Sequence, residues 1–321
     1  MVTYNDIIQA HHRISSEINH TPVMTSRTLN RELNAEIIFK CENFQRVGAF
    51  KFRGAFNALS QLSSLQKASG VITHSSGNHA QAVALAASIL GIPATIVMPK
   101  NSPQVKLRAT CDTYGARVVQ CENNVQSRQE TCQQIMEKEG QTLIHPYDND
   151  QIIAGAGTAA YELLQEYPHL ELIIAPVGGG GLLSGTSIAA KGFNSKIDVY
   201  AGEPYNADDA YRSFHSGIIQ KNSDPNTIAD GLRTNLCPRT FQIISQNVTE
   251  IVRVGEQEIL DAMRFFWERM KIIVEPSSAV PLAALRTGEI KIARKKVGVI
   301  LSGGNVDLTT FFEVFWAKIE D

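Results

Sequence analysis

The feature that most constrains this chain is the steady alternation of short apolar runs with helical patterns, joined by brief connections. Strand-like runs fall at 36–40, 71–73, 94–98, 117–120, 142–144, 172–175, 197–201 and 297–301. Helical patterns fall at 3–19, 52–65, 78–90, 104–114, 125–138, 152–166, 182–191 and 256–270. Strand, helix and strand in succession fold as parallel sheet covered by helices on both faces, so an α/β architecture is expected. Ligands of such sheets bind beyond the carboxyl ends of the strands. The segments that break the pattern of this chain fall there.

Composition removes several alternatives. The 321 residues suffice for two domains. Hydrophobic residues make up 43% and charged residues 19%, which excludes a disordered chain. A net charge of −2, with no long basic run, points away from nucleic acid and acidic membranes. The five cysteines, at 41, 111, 121, 132 and 237, form no CxxC pair, so neither a disulfide framework nor a zinc site is expected. Reduced thiols fit a cytoplasmic protein. No window of about 20 residues is free of charged and strongly polar groups, so no membrane helix is expected.

Four segments carry candidate chemistry. In Asn43–Gly54, Lys51 lies between Phe50 and Phe52 at the start of a helix. Apolar neighbours and a helix N-terminus disfavour the ammonium form, which suits a lysine that condenses with a carbonyl; a surface lysine is the plain alternative. Thr73–Ala80 places Ser75, Ser76, Gly77, Asn78 and His79 in a small-residue turn between strand and helix, either to hold a carboxylate or simply to cap the helix. Gly178, Gly179, Gly180 and Gly181 join a strand to a helix. Such a loop suits a phosphate at the positive end of a helix, and it is neither GxGxxG nor a P-loop. Ser302, in Leu301–Asn305, sets a hydroxyl at a strand end where a ring nitrogen could meet it, unless the segment is a plain glycine turn. A fifth segment, Gly202–Asp209, offers Glu203 and Asp209, hard oxygen donors of the kind magnesium or calcium accepts, or an acidic helix start.

Together, GAFKFRGA, SSGNHA, GGGG and SGGN resemble, in order and spacing, the fold-type II (tryptophan synthase β-like) pyridoxal phosphate enzymes, in their serine racemase and serine/threonine dehydratase branch. The resemblance spans Thr21 to Asp307. It implies two lobes with parallel-rich sheets flanked by helices: a large cofactor-binding domain (1–69 with 149–321) and a small, mobile one (70–148). It implies that Lys51 bonds the cofactor, Phe50 packs near its ring, Asn78 meets its phenolic oxygen, Gly178–Gly181 hold its phosphate and Ser302 contacts its pyridine nitrogen. A serine there, unlike an aspartate, leaves the ring a weaker electron sink, which favours prompt loss of a β-hydroxyl. Ser75 to His79 would grip the substrate carboxylate, with Arg128 nearby. Lys51 and Ser76 would be the acid/base groups on the two faces of the α-carbon; many threonine dehydratases have alanine at the Ser76 position, whereas hydroxyaspartate dehydratases share the serine. Glu203, the Ala207 carbonyl and Asp209 would bind Mg²⁺, Ca²⁺ or Mn²⁺.

The implied activity is interconversion of serine enantiomers with dehydration of L-serine or L-threonine. The alternatives are a threo-3-hydroxyaspartate ammonia-lyase and a purely catabolic threonine dehydratase. Tyr147 departs from the asparagine of animal serine racemases and bears on substrate choice. A cysteine-forming synthase would resemble TSGNTG rather than SSGNHA, and a non-catalytic binder would need neither Lys51 nor Ser76. The family implies a homodimer; a nucleotide effector, known in some relatives, has no motif here.

Overall fold

The computed structural model describes residues 1–75, 77–100 and 114–306. Two sheets organise it. The larger has six strands in the order β1-β2-β10-β7-β8-β9: β1 (Val23–Thr25), β2 (Glu36–Cys41), β7 (Leu172–Pro176), β8 (Asp198–Pro204), β9 (Glu250–Val254) and β10 (Lys296–Leu301). All its pairings are parallel except that of β1 with β2. The smaller is wholly parallel, in the order β5-β4-β3-β6, from β3 (Val71–His74), β4 (Ala94–Pro99), β5 (Arg117–Cys121) and β6 (Thr142–Leu143).

Helices cover the sheets because their apolar faces have nowhere else to go. The helix Lys51–Ser60, α1, buries every residue from Phe52 to Leu59. Asn78–Leu90, α2, is mostly alanine on its buried side and packs closely on α1. Asp150–Glu166, α3, and Gly181–Phe193, α4, cross with glycines in contact: a methyl on Gly185 would lie 2.5 Å from the Gly157 nitrogen. The expected strands and most expected helices are present within a few residues. The helix expected over 104–114 lies almost wholly outside the described residues. The run 52–65 is not one helix: it stops at Ser60, and Ser63 opens a new one through a reciprocal capping box with Gln66. The run 256–270 is α-helical only to Phe265 and finishes as a π-turn, closed by Lys271 in the left-handed region. No described helix is long and apolar enough to cross a membrane.

Beneath the start of α1 lies a buried ionic cluster. Arg53 bonds the carboxylates of Glu42 (2.6 and 2.8 Å) and Glu162 (2.7 and 2.8 Å). Lys40 meets Glu162 at 2.7 Å and the Thr21 carbonyl at 2.9 Å. Two cations face two anions, all with side chains at most 2% exposed. Burial would push the Glu162 carboxyl up, but hydrogen bonds and charge from Arg53, with Lys40, bring it down to about 2. Arg53 stands two residues after Lys51, so the cluster fixes where that lysine begins its helix.

Candidate active site

Lys51 opens α1, and its ammonium donates to the Pro146 carbonyl at 3.0 Å. Burial pulls its pKa from 10.5 to about 8, against the opposing charge of Glu275. The segment before it is strained: Val47, a β-branched residue, has φ +55°, and Gly48 follows at +68°. The SGGN turn clamps this strain. Gly304 donates to the Gly48 carbonyl, and Asn305 Nδ2 to the Val47 carbonyl and to Asn78 Oδ1 at 2.9 Å. Phe50 N–H donates to the Ser302 carbonyl at 3.0 Å, placing Ser302 beside the lysine. The Ser302 hydroxyl is buried with no hydrogen-bond partner among the described residues. Such a group calls for one from a ligand.

Asn78 donates its amide to both Glu275 oxygens, at 3.0 and 2.9 Å. Glu275, nearly fully buried, is the site residue that sequence reasoning missed. Its only signal was a carboxylate before Pro276, the ordinary start of a helix. Ser75 does not cap α2, whose cap is Gly77; its hydroxyl accepts from the Gly77 amide instead. Ser76 lies outside the described residues. His79 turns away from the turn: buried and pushed down to about pH 3 by desolvation, it places Nε2 3.0 Å from the Ile144 carbonyl. Only its backbone can serve a carboxylate in that turn.

The glycine loop leads into α4, with Gly180 at φ +85° as its cap. It is squeezed from both sides. A methyl on Gly179 would sit 2.3 Å from the Tyr147 ring, and one on Gly178 2.9 Å from Leu232 Cα. Only bare backbone fits there, at a helix start where amide N–H groups lack helical partners. Tyr147 stacks edge-on with His145 at 4.7 Å, and His145 with His74 at 5.9 Å. Burial, aided by His74, pushes His145 down to about 4, so this wall is uncharged at neutral pH. Arg128 adds charge beside His74, and its buried Nε has no partner among the described residues. A basic amine, an orphaned hydroxyl and a backbone-only cradle at a helix start form a set that fits pyridoxal phosphate.

Glu203, Ala207 and Asp209 form a separate cluster at the end of β8, all buried. Glu203 accepts from the amides of Ala210 and Tyr211, and Asp209 from Asn222 and the Leu236 amide. Burial holds both carboxyls above their usual range, and Asp209 further raises Glu203. Neighbouring Asp208 is instead neutralised by Arg212 and Arg253. Among the described residues no three His, Cys, Asp or Glu side chains converge as a metal site. The two buried carboxylates are hard oxygen donors of the kind such a cation accepts.

The lowered pKa of Lys51 predicts a pH signature. Between about pH 8 and 10.5 the unfolded chain holds a proton at Lys51 that the folded one lacks, so stability rises through that window. In the cofactor-free protein, Lys51→Met should therefore stabilise at pH 7.5, by a margin that shrinks at pH 10. Urea midpoints that differ equally at both pH values would contradict the shift.

Comparison with known proteins gives the family. The family model described as pyridoxal-phosphate dependent enzyme matches residues 14–303. Serine racemase of Dictyostelium discoideum is 50% identical over 317 residues, covering 98% of each chain. L-threo-3-hydroxyaspartate ammonia-lyase of Saccharomyces cerevisiae is 47% identical, covering 98% of this chain and 97% of that one. The crystal structure of the Dictyostelium serine racemase superposes with a TM-score of 0.91 over 95% of this chain and 99% of that one.

Proposed function

The chain belongs to the pyridoxal-phosphate dependent enzymes, and on that premise we propose that it is a serine racemase that also dehydrates L-serine and L-threonine. The observation that carries this reading is Lys51: a half-buried amine with a pKa near 8, beside the orphaned Ser302 hydroxyl and with the Tyr147-lined glycine loop next to its Pro146 partner. Phe50, Lys51, Asn78, Gly178–Gly181 and Ser302 would hold the cofactor. When bound, it supplies an electron sink that makes the α-proton of an amino acid removable.

Lys51 then takes or returns that proton on one face. An amine tuned near 8 is partly neutral at physiological pH and so can do both. Ser76 serves the other face, with Ser75, Gly77 and Asn78 positioning the substrate carboxylate. Loss of the β-hydroxyl as water, followed by hydrolysis, yields 2-oxo acid and ammonia. Glu203, Ala207 and Asp209 would hold Mg²⁺, or Ca²⁺ or Mn²⁺, away from the reacting atoms. The small lobe, 70–148, closes over the substrate, and the protein works as a cytoplasmic homodimer.

Ser76→Ala should lower D-serine formation from L-serine by about 100-fold or more while pyruvate continues. Counting both products in one tube decides it; equal loss of both would remove Ser76 from its one-sided role. A specific observation favours a second reading. The Nε of Arg128, beside His74 and without a partner among the described residues, suits a β-carboxylate, as in threo-3-hydroxyaspartate. Arg128→Met should then raise KM for threo-3-hydroxyaspartate about tenfold or more and leave that for L-serine unchanged.

A further inference from the structure

We propose that residues 231–240 couple the acidic pair Glu203 and Asp209 to the glycine loop, with Asn222, Asn235 and Leu236 as positioning residues. The inference rests on the cofactor and cation reading above and adds the connection between the two sites. Asp209 holds this segment directly at Leu236 and indirectly through Asn222. Its Oδ2 accepts from the Leu236 amide at 2.9 Å, and its Oδ1 from Asn222 Nδ2 at 2.8 Å. Asn222 in turn donates its backbone N–H to Asn235 Oδ1 at 2.9 Å.

The other face of the same segment lies against the glycine loop. A methyl on Gly180 would come within 2.8 Å of both Leu236 Cδ2 and Thr240 Cβ, and one on Gly178 within 2.9 Å of Leu232 Cα. Gly180 has a left-handed backbone and caps α4, so a displaced neighbour shifts the helix start rather than a side chain. A second tie runs along the sheet: the amide of Val177, just before the loop, donates to the Gly202 carbonyl, next to Glu203. Packed groups of this kind move together, because close-packed interiors do not absorb small shifts. A cation that fixes the Asp209 carboxylate thus fixes the Leu236 amide and, through it, the backbone at Gly180.

Thermodynamic linkage makes the test two-sided: if Mg²⁺ tightens pyridoxal phosphate, pyridoxal phosphate must tighten Mg²⁺ by the same factor. Binding of each to the cofactor-stripped full chain is measured by absorbance and by calorimetry, alone and in the presence of the other. The parent protein should show reciprocal tightening of about fivefold or more. Asn222→Ala and, as a separate variant, Asn235→Ala should still bind each ligand, with the factor reduced toward one. A merely structural role would change the separate affinities or the melting temperature and leave the factor intact. A factor of one in the parent protein, or one retained in both variants, would overturn the coupling. Failure of the parent protein to bind pyridoxal phosphate or Mg²⁺ would instead overturn the reading beneath it.

Discussion

Replacing Lys51 with alanine is expected to lower turnover of L-serine by about 1,000-fold or more, with the fold retained. The side chain has no structural task to match that loss. Among the described residues its ammonium donates only to the Pro146 carbonyl, and burying it works against stability, as the fall of its pKa to about 8 shows. Removing it should therefore leave the melting temperature equal or higher. It should also abolish the covalent cofactor signature, so that pyridoxal phosphate dialyses away from the variant and not from the parent protein. Racemisation and dehydration should fall together, since both begin with the α-proton. If dehydration survived the change, another group would be the base.

The second large effect concerns stability. Arg53→Met should destabilise the protein by about 3–5 kcal/mol, because it strands two buried carboxylates that Arg53 now bonds with both edges of its guanidinium. Lys40 can offset only part of the charge at Glu162. The pH dependence should identify the cause. In the parent protein Glu162, held near pH 2 against an ordinary 4.5, contributes stability that is fully present above 4.5 and lost as pH falls toward 2. Without Arg53 that contribution goes, so the deficit of the variant should be largest near neutrality and shrink below about pH 4. Denaturant midpoints at pH 7 and pH 3.5 provide the check; a deficit independent of pH would indicate lost packing rather than stranded charge.

The ionic cluster also shows where sequence reading falls short. Lys40, Glu42, Arg53 and Glu162 look like ordinary surface residues in one dimension, because nothing local to each reveals that a sheet, a turn and two helices bring them together. Glu275 escaped notice for the same reason: its role depends on Asn78, 197 positions away in sequence. Most of the parallel strands were legible because a fully buried strand reads as an unbroken apolar run, as in Leu172–Pro176; Glu250–Val254, partly polar, was passed over. Val23–Thr25, three residues on the sheet edge and only partly buried, offers no such run. The helices Pro238–Asn247 and Pro276–Arg286 were also passed over, and Asp209–Ser216 was seen only as an acidic helix start that reads equally well as a cation site.

Within the site, glycine was the most readable residue. Four in a row at a strand end predicted a backbone-only surface, and Tyr147 and Leu232 show why no side chain fits. The SGGN turn was read for its serine, yet its asparagine does as much: Asn305 ties the strained Val47 to Asn78. Its role is a tertiary fact, invisible until the two loops are seen side by side.

The central claim is that this chain removes the α-proton of serine at Lys51. The most direct measurement is solvent exchange: L-serine incubated with the cofactor-loaded protein in deuterium oxide, with the α-position followed by NMR. Deuterium should appear at Cα in recovered serine of both configurations, alongside pyruvate, and neither should form with Lys51→Ala. Serine that keeps its α-proton, with no pyruvate formed by a fully loaded protein, would contradict it.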